Sequence, residues 1–203
     1  MDDALSRFVA FAGAIGLSPT PGQLEALRAG AAWLARASTA SGISQYASPE
    51  DALIRAMGPA LAYFPVNATP RQGRLADIGS GTGAIGATIA LFAPTLEVDL
   101  VDRAKRAYTV SELLVAKMDL PNARPLLADV TALESRYDAV VFRALGRAPV
   151  ALSLALPLVR PGGIVCAYHR RGDMAFEAPD AALAVLETRD TPVEELVLTC
   201  YRR

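Results

Sequence analysis

75-LADIGSGTGAIG-86 closes an apolar run on an acid, Asp77, and then places four glycines within eight residues. A chain gives up side chains at this density where the backbone must turn in ways a Cβ forbids, or lie close to a ligand. The apolar lead-in reads as a buried strand, and the run after it opens a helix, so the glycines occupy a strand-to-helix turn. They parse as Gly79-x-Gly81-x-Gly83 or as Gly81-x-Gly83-x-x-Gly86, and both patterns serve a nucleotide-like cofactor.

Three features separate those cofactors. Asp77 stands two residues before the first glycine, where a carboxylate repels a pyrophosphate but suits the cationic end of S-adenosylmethionine. Asp102 closes the second strand about twenty residues on, where either cofactor needs a carboxylate for its ribose hydroxyls. A third acid, Asp129, follows the next strand in 126-LLADVTAL-133, placed to accept from an adenine amino group. The chain also ends in an antiparallel hairpin, which doubly wound dehydrogenases lack. S-adenosylmethionine is therefore the expected cofactor, held by Asp77, Gly79, Ser80, Gly81, Thr82, Gly83, Asp102, Arg103, Asp129 and Val130. A phosphate-binding P-loop is excluded, because no Gly-Lys-Ser/Thr follows the glycines.

Outward from the motif, the chain has two parts. Residues 1–66 read as a helical cap: Leu5, Phe8, Val9, Ala12 and Ile15 recur at helical spacing before Gly16. A second helix starts near Thr20-Pro21. A third follows the cap-and-proline signature Ser48-Pro49-Glu50-Asp51, with a kink expected at Gly58-Pro59. After the turn-forming 67-NATPRQGR-74, residues 67–203 alternate strands and helices. Strands fit 74–78, 97–101, 124–128, 138–142 and 162–168, and helices fit 84–92, 104–118 and 148–159. Segments 182–189 and 194–201 are joined by too short a link for a crossover helix, so they pair antiparallel. The expected fold is α/β: a Rossmann-like class I methyltransferase sheet, mostly parallel with an antiparallel C-terminal strand, under an N-terminal helical cap.

Composition sets the bounds. The 203 residues are 52% hydrophobic and 20% charged, enough for one well-filled core. Twenty basic against 21 acidic residues make bulk charge no argument for nucleic-acid binding. One histidine, His169, leaves no His/Cys metal cluster, and Cys166 and Cys200 sit in apolar runs as buried thiols. MDDALSRF carries no basic, apolar leader, and no apolar run reaches membrane-spanning length, so a cytoplasmic protein is expected.

The segments 75-LADIGSGTGAIGATIALFAPTLEVDLVDRAKR-106, 137-YDAVVFRAL-145 and 156-LPLVRPGG-163 resemble the glucose-inhibited division protein B family (RsmG) over roughly residues 5–201. The resemblance implies a methyltransferase acting on guanine N7 of small-subunit ribosomal RNA, with the ribosomal RNA or subunit as partner. It also implies that Arg143, in the Arg143-Ala144 pair after the fourth strand, lies beside cofactor and substrate as the catalytic residue. The chain departs from the family on the substrate side. Where the family carries Asn-Leu-Thr and His-x-x-Asp-Ser, this sequence reads 42-GIS-44 and 56-AMGPA-60. Phe-Pro-Gly is replaced by Ala84-Ile85-Gly86, and the strand-five Lys-Gly by 168-YHRRG-172.

Guanine N7 carries no proton at neutral pH, so its methylation needs alignment rather than a general base. Consistent with that, His169 has no carboxylate at a defensible spacing. Basic residues follow successive strands and are expected to form one RNA-facing rim: Arg103, Lys105 and Arg106, then Arg143 and Arg147, then His169, Arg170 and Arg171. Of these, Arg147, His169, Arg170 and Arg171 are the candidate substrate contacts. Tyr108, Phe142 and Tyr168 are the candidate stacking aromatics, and Trp33 reads as packing. Competing readings are a methyltransferase of small molecules or proteins, a non-catalytic RNA-binding paralogue, and a nicotinamide-dependent dehydrogenase.

Overall fold

The computed structural model describes residues 1–42, 45–134, 136–177 and 183–203. Helix α1 (Asp2–Ala14) buries Ala4, Leu5, Phe8 and Ala12 along one stripe, and Gly16 ends the turn at φ +78°. Helix α2 (Pro21–Ser41) opens on a reciprocal cap. The Gln23 amide donates to Thr20 Oγ1 at 3.2 Å, and the Thr20 amide donates to Gln23 Oε1 at 2.9 Å. Trp33 Nε1 donates to the Val110 carbonyl at 3.0 Å and so ties α2 to a later helix.

Helix α3 (Pro49–Ala52) is capped by Ser48, whose hydroxyl accepts from the Asp51 amide at 3.2 Å. It runs on without a break as a π-helical turn, Leu53–Met57, and a 3₁₀ turn, Gly58–Tyr63. The kink expected at Gly58-Pro59 is thus a change of helical winding. Pro59 has no N–H, so α-helical bonding to the carbonyl four residues back, that of Arg55, is impossible.

The sheet comprises β1 (Gly73–Ile78), β2 (Leu96–Asp102), β3 (Ala123–Leu127), β4 (Tyr137–Arg143), β5 (Val159–Arg170), β6 (Ala184–Asp190) and β7 (Leu196–Arg202). Its order is β3-β2-β1-β4-β5-β7-β6, with β7 antiparallel to both of its neighbours and the other pairs parallel. Helices α4 (Ala84–Phe92), α5 (Lys105–Met118), α6 (Ala148–Ala155) and α7 (Met174–Glu177) complete the fold. The sequence places each strand within a few residues. Helix α6 stops short of the expected 159, because Pro157 lies in a 3₁₀ turn at Leu156–Leu158 and β5 begins at Val159. The closing hairpin is present as β6 and β7, and position 182 of the expected strand lies outside the described residues.

Strand alternation sorts side chains into two cores. Leu75, Ala139, Val141, Ile164, Cys166 and Tyr168 face the layer built by the cap, α4 and α5. Ala76, Ile78, Val140, Phe142, Val165 and Ala167 face α6 and α7. The cap therefore shares one core with the sheet instead of forming its own. Cys166 and Cys200 face one another across β5 and β7 as buried thiols. Among the described residues, no helix is long and apolar enough to cross a membrane.

Candidate active site

Strand order reverses between β1 and β4, which opens a crevice at their carboxyl ends where open α/β sheets bind ligands. Two adjoining cavities occupy it, of about 400 Å³ and about 570 Å³, and both are lined by Gly79 and Ala144. The first is walled by Asp77, Ser80, Gly81 and Thr82 on one side and by Tyr46, Arg55 and Arg143 on the other. The second holds Asp102, Arg103, Asp129, Val130 and Thr131. Nine of the expected cofactor residues are thereby brought together in one cleft, and Arg143 joins them. Gly83 supports the loop from behind, where a Cβ would sit 2.9 Å from Ser111 Cβ.

The glycines are required by the turn itself. Gly79, Gly81 and Gly83 have φ of +63°, +56° and +76°, three left-handed residues in five, which side-chain-bearing residues do not adopt in sequence. The loop amides are used internally: Ser80 N–H donates to the Val101 carbonyl at 3.0 Å and Gly83 N–H to the Ser80 carbonyl at 2.8 Å. Gly81 N–H donates to Asp102 Oδ2 at 2.9 Å, so the strand-two acid holds the loop as well as lining the cleft. Its Oδ1 accepts from the Ala104 amide at 2.8 Å.

Asp77 is fully buried, and its Oδ2 accepts from the Gly86 amide at 2.9 Å. A pyrophosphate would need that helix N-terminus, and here the protein's own carboxylate occupies it. Gly86 permits this packing, because a Cβ there would lie 2.3 Å from Leu100 Cδ2 and 2.9 Å from Asp77 Cβ. Burial pushes the Asp77 carboxyl up to about 7; the Gly86 amide pulls it down and Asp102 adds to the rise. Ser80 Oγ is buried without a hydrogen-bond partner at the cavity wall, a polar atom left for a ligand.

Asp129 caps the 3₁₀ turn Val130–Ala132. Its Oδ1 accepts from the Thr131 amide at 2.9 Å and from the Thr131 hydroxyl at 2.7 Å. Those bonds, the amide first, hold its carboxyl below the usual range. Arg103 Nη1 stands 3.8 Å from Asp129 Oδ2.

Arg143 ends β4 on the cap side of the sheet and is half-buried. Its Nη1 donates to the Arg55 carbonyl at 2.8 Å, and burial lowers the guanidinium's proton affinity. Among the described residues it makes no ion pair. Ala144, next in the chain, takes φ +54°, a strained geometry for a residue with a Cβ.

Four expected substrate contacts fall elsewhere. His169 belongs to the opposite face of β5: it is buried, stacked on Phe176 at 4.8 Å, with Nε2 2.8 Å from Thr199 Oγ1 and Nδ1 2.8 Å from the Arg170 carbonyl. Alternation along the strand turns it away from the cleft. Arg171 is committed to Asp190 Oδ1 at 2.7 Å. Arg170 is exposed at the end of β5 and Arg147 at the N-cap of α6, both outside the cavity walls. Phe142 and Tyr168 are core side chains, and the Tyr108 hydroxyl donates to Glu112 at 3.1 Å.

The cap supplies two further wall residues that are not among the sequence candidates. Tyr46 is half-buried against the core and lines the cavity. Arg55 also lines it, and is the one charge in the apolar run 52-ALIRAMGPALAYF-64, a signal present in the sequence. Its Nη1 pairs with Asp51 Oδ2 at 3.2 Å, one helical turn back. An exposed pair of this kind is worth about 0.3–0.5 kcal/mol, too little to explain a charge in that run.

Sheet order, antiparallel β7 and the glycine cleft define a class I S-adenosylmethionine-dependent methyltransferase fold. Solved structures agree. A predicted O-methyltransferase from Agrobacterium tumefaciens superposes with TM-score 0.58 at 20% identity, covering 72% of this chain and 79% of that one. The M.jannaschii tRNA m1G37 methyltransferase gives TM-score 0.53 at 17% identity, covering 68% of this chain and 46% of that one. The chain belongs to the GidB family, rRNA small subunit methyltransferase G, whose model matches residues 23–198. Ribosomal RNA small subunit methyltransferase G of Rubrobacter xylanophilus is 34% identical over 145 residues, 67% of this chain and 54% of that protein. Its counterpart in Treponema pallidum is 37% identical over 102 residues, 46% of this chain and 45% of that one. The chain spans about half the length of the curated relatives it matches.

Proposed function

We propose that this protein is an S-adenosylmethionine-dependent methyltransferase acting on N7 of a guanine in small-subunit ribosomal RNA, in the cytoplasm. The observation that carries the cofactor is the Asp77 carboxylate on the Gly86 amide: it blocks a pyrophosphate and offers a negative charge to a cationic ligand. Family membership and the names of the relatives carry the substrate.

The cofactor supplies a methyl group already activated on a sulfonium. Asp77 and Ser80 line the first cavity and would hold the amino-acid end; Asp102, Asp129 and Val130 line the second and would hold the nucleoside. What remains for the protein is alignment of an acceptor lone pair and exclusion of water. Arg143, anchored at 2.8 Å by the Arg55 carbonyl, is fixed at the acceptor side with donors to spare for a base or phosphate oxygen. His169 is turned to the other face, which suits an acceptor atom that carries no proton. Arg147 and Arg170 are exposed and available to RNA phosphates further out.

The test is incorporation of tritiated methyl from S-adenosylmethionine into small ribosomal subunits lacking the modification, with chain cleavage at N7-methylguanine locating the product. Binding of the cofactor without incorporation into the subunits would overturn the substrate assignment.

A further inference from the structure

The first cavity has two walls of different origin. The loop after β1 forms one, and the cap contributes the other through Gln45, Tyr46 and Arg55. We infer that the cap wall is the subsite for the acceptor nucleotide, with Tyr46 stacking on the base and Arg55 binding its phosphate. This rests on the reading of the protein as a methyltransferase of RNA.

The residue chemistry matches a nucleotide. Recognition of an unpaired base calls for an aromatic surface to stack on and a guanidinium for the adjoining phosphate. Tyr46 provides the first: packed against the core on one side, it is held in place while lining the cavity. Of the other aromatics, Phe142 and Tyr168 are fully buried and Tyr108 lines neither cavity. Arg55 provides the second. Its carboxylate partner Asp51 lies on the same helical segment, so the ion pair holds the guanidinium ready at little cost. A phosphate can take the place of that carboxylate as a charge-assisted acceptor.

The cap wall is also tied to the reacting strand. The Arg55 carbonyl, left without an α-helical donor by Pro59, accepts from Arg143, so the subsite is bonded directly to the strand-four arginine. This tie uses the Arg55 backbone, so replacing the Arg55 side chain leaves it in place and tests the guanidinium alone.

The experiment compares Tyr46→Ala, Tyr46→Phe and Arg55→Ala with the unaltered chain. S-adenosylhomocysteine affinity by calorimetry and melting by circular dichroism serve as controls. With unmodified small ribosomal subunits, Tyr46→Ala and Arg55→Ala should each raise KM roughly tenfold at nearly unchanged kcat, while Tyr46→Phe restores the unaltered value. In parallel, guanosine monophosphate is added to the S-adenosylhomocysteine-loaded proteins, and saturation transfer to its H8 proton is recorded by NMR. That transfer should be lost in Tyr46→Ala and kept in Tyr46→Phe. If the unaltered chain methylates subunits and the variants match it in KM, the subsite is refuted and the RNA reading stands. If the unaltered chain leaves subunits unmethylated while the nucleotide contact depends on Tyr46, the subsite stands and the ribosomal substrate falls. Equal loss of S-adenosylhomocysteine affinity in the variants also refutes the subsite, because Tyr46 and Arg55 would then serve the cofactor.

Discussion

Arg143 donates from Nη1 to the main-chain carbonyl of Arg55 at 2.8 Å, across 88 positions of sequence. That carbonyl is open because Pro59, four residues on, has no N–H to offer. A backbone defect in the cap thus becomes the anchor for a guanidinium at the active site.

Replacing Pro59 with Ala returns a competing donor and should loosen that anchor. Pro59→Ala is expected to lower kcat about fivefold, the value of one hydrogen bond of about 1 kcal/mol, with little change in S-adenosylmethionine affinity. Steady-state methylation kinetics check it. An unchanged kcat would show that Arg143 is positioned by other means.

Asp77 links binding and stability to pH in opposite senses. Its folded-state pKa, about 7, lies above the usual 3.8, so its contribution to stability is complete below 3.8 and is lost as pH rises through 7. Asp77→Asn should therefore be more stable than the unaltered protein at pH 8, by at most roughly 4 kcal/mol, and equal to it near pH 3.5. A cationic cofactor needs the ionised form, so its affinity should rise between pH 6 and pH 8, and the variant should show no such rise. Denaturant melts and calorimetric titrations across that range decide both points.

Asp102 supports the glycine loop through the Gly81 amide. Asp102→Ala should weaken S-adenosylmethionine binding by about 30-fold, as expected from losing roughly 2 kcal/mol in charge-assisted hydrogen bonding. Asp102→Asn, which can still accept from Gly81, should recover part of it. Equilibrium dialysis provides the measurement, and equal defects in the two variants would place the effect in ribose contact alone.

Ala144 carries left-handed backbone at the junction of both cavities. Ala144→Gly removes that strain at some cost in unfolded-chain entropy, so a net gain of about 0.5 kcal/mol is expected. Turnover should fall, because the turn after Arg143 would no longer be held to one geometry. Thermal melts paired with kinetics test the trade; a loss of stability would show that the φ angle carries no strain.

His169 should matter to the fold and not to the reaction. His169→Ala removes one of the two side-chain partners of Thr199 Oγ1, the other being Thr188, and the ring stacked on Phe176. A loss of about 2 kcal/mol in stability is expected with kcat/KM unchanged at temperatures well below melting. A selective loss of activity would return the residue to the substrate side.

Much of this molecule is written in short-range patterns. The acid-then-glycine turn, the Ser48-Pro49 helix start, alternating strands and helices and the terminal hairpin each depend on residues within a few positions of one another. Local backbone preference and burial periodicity therefore suffice to reveal them. The cofactor cleft was legible for the same reason, since strand ends followed by acids fall in register in any parallel sheet. The cap wall was not. Tyr46 and Arg55 reach the cleft only through the packing of α2, α3 and the winding change at Pro59, and no spacing rule encodes that approach. His169 shows the same boundary: alternation says it opposes Tyr168, but which face the cap covers is set by contacts between segments far apart in the chain.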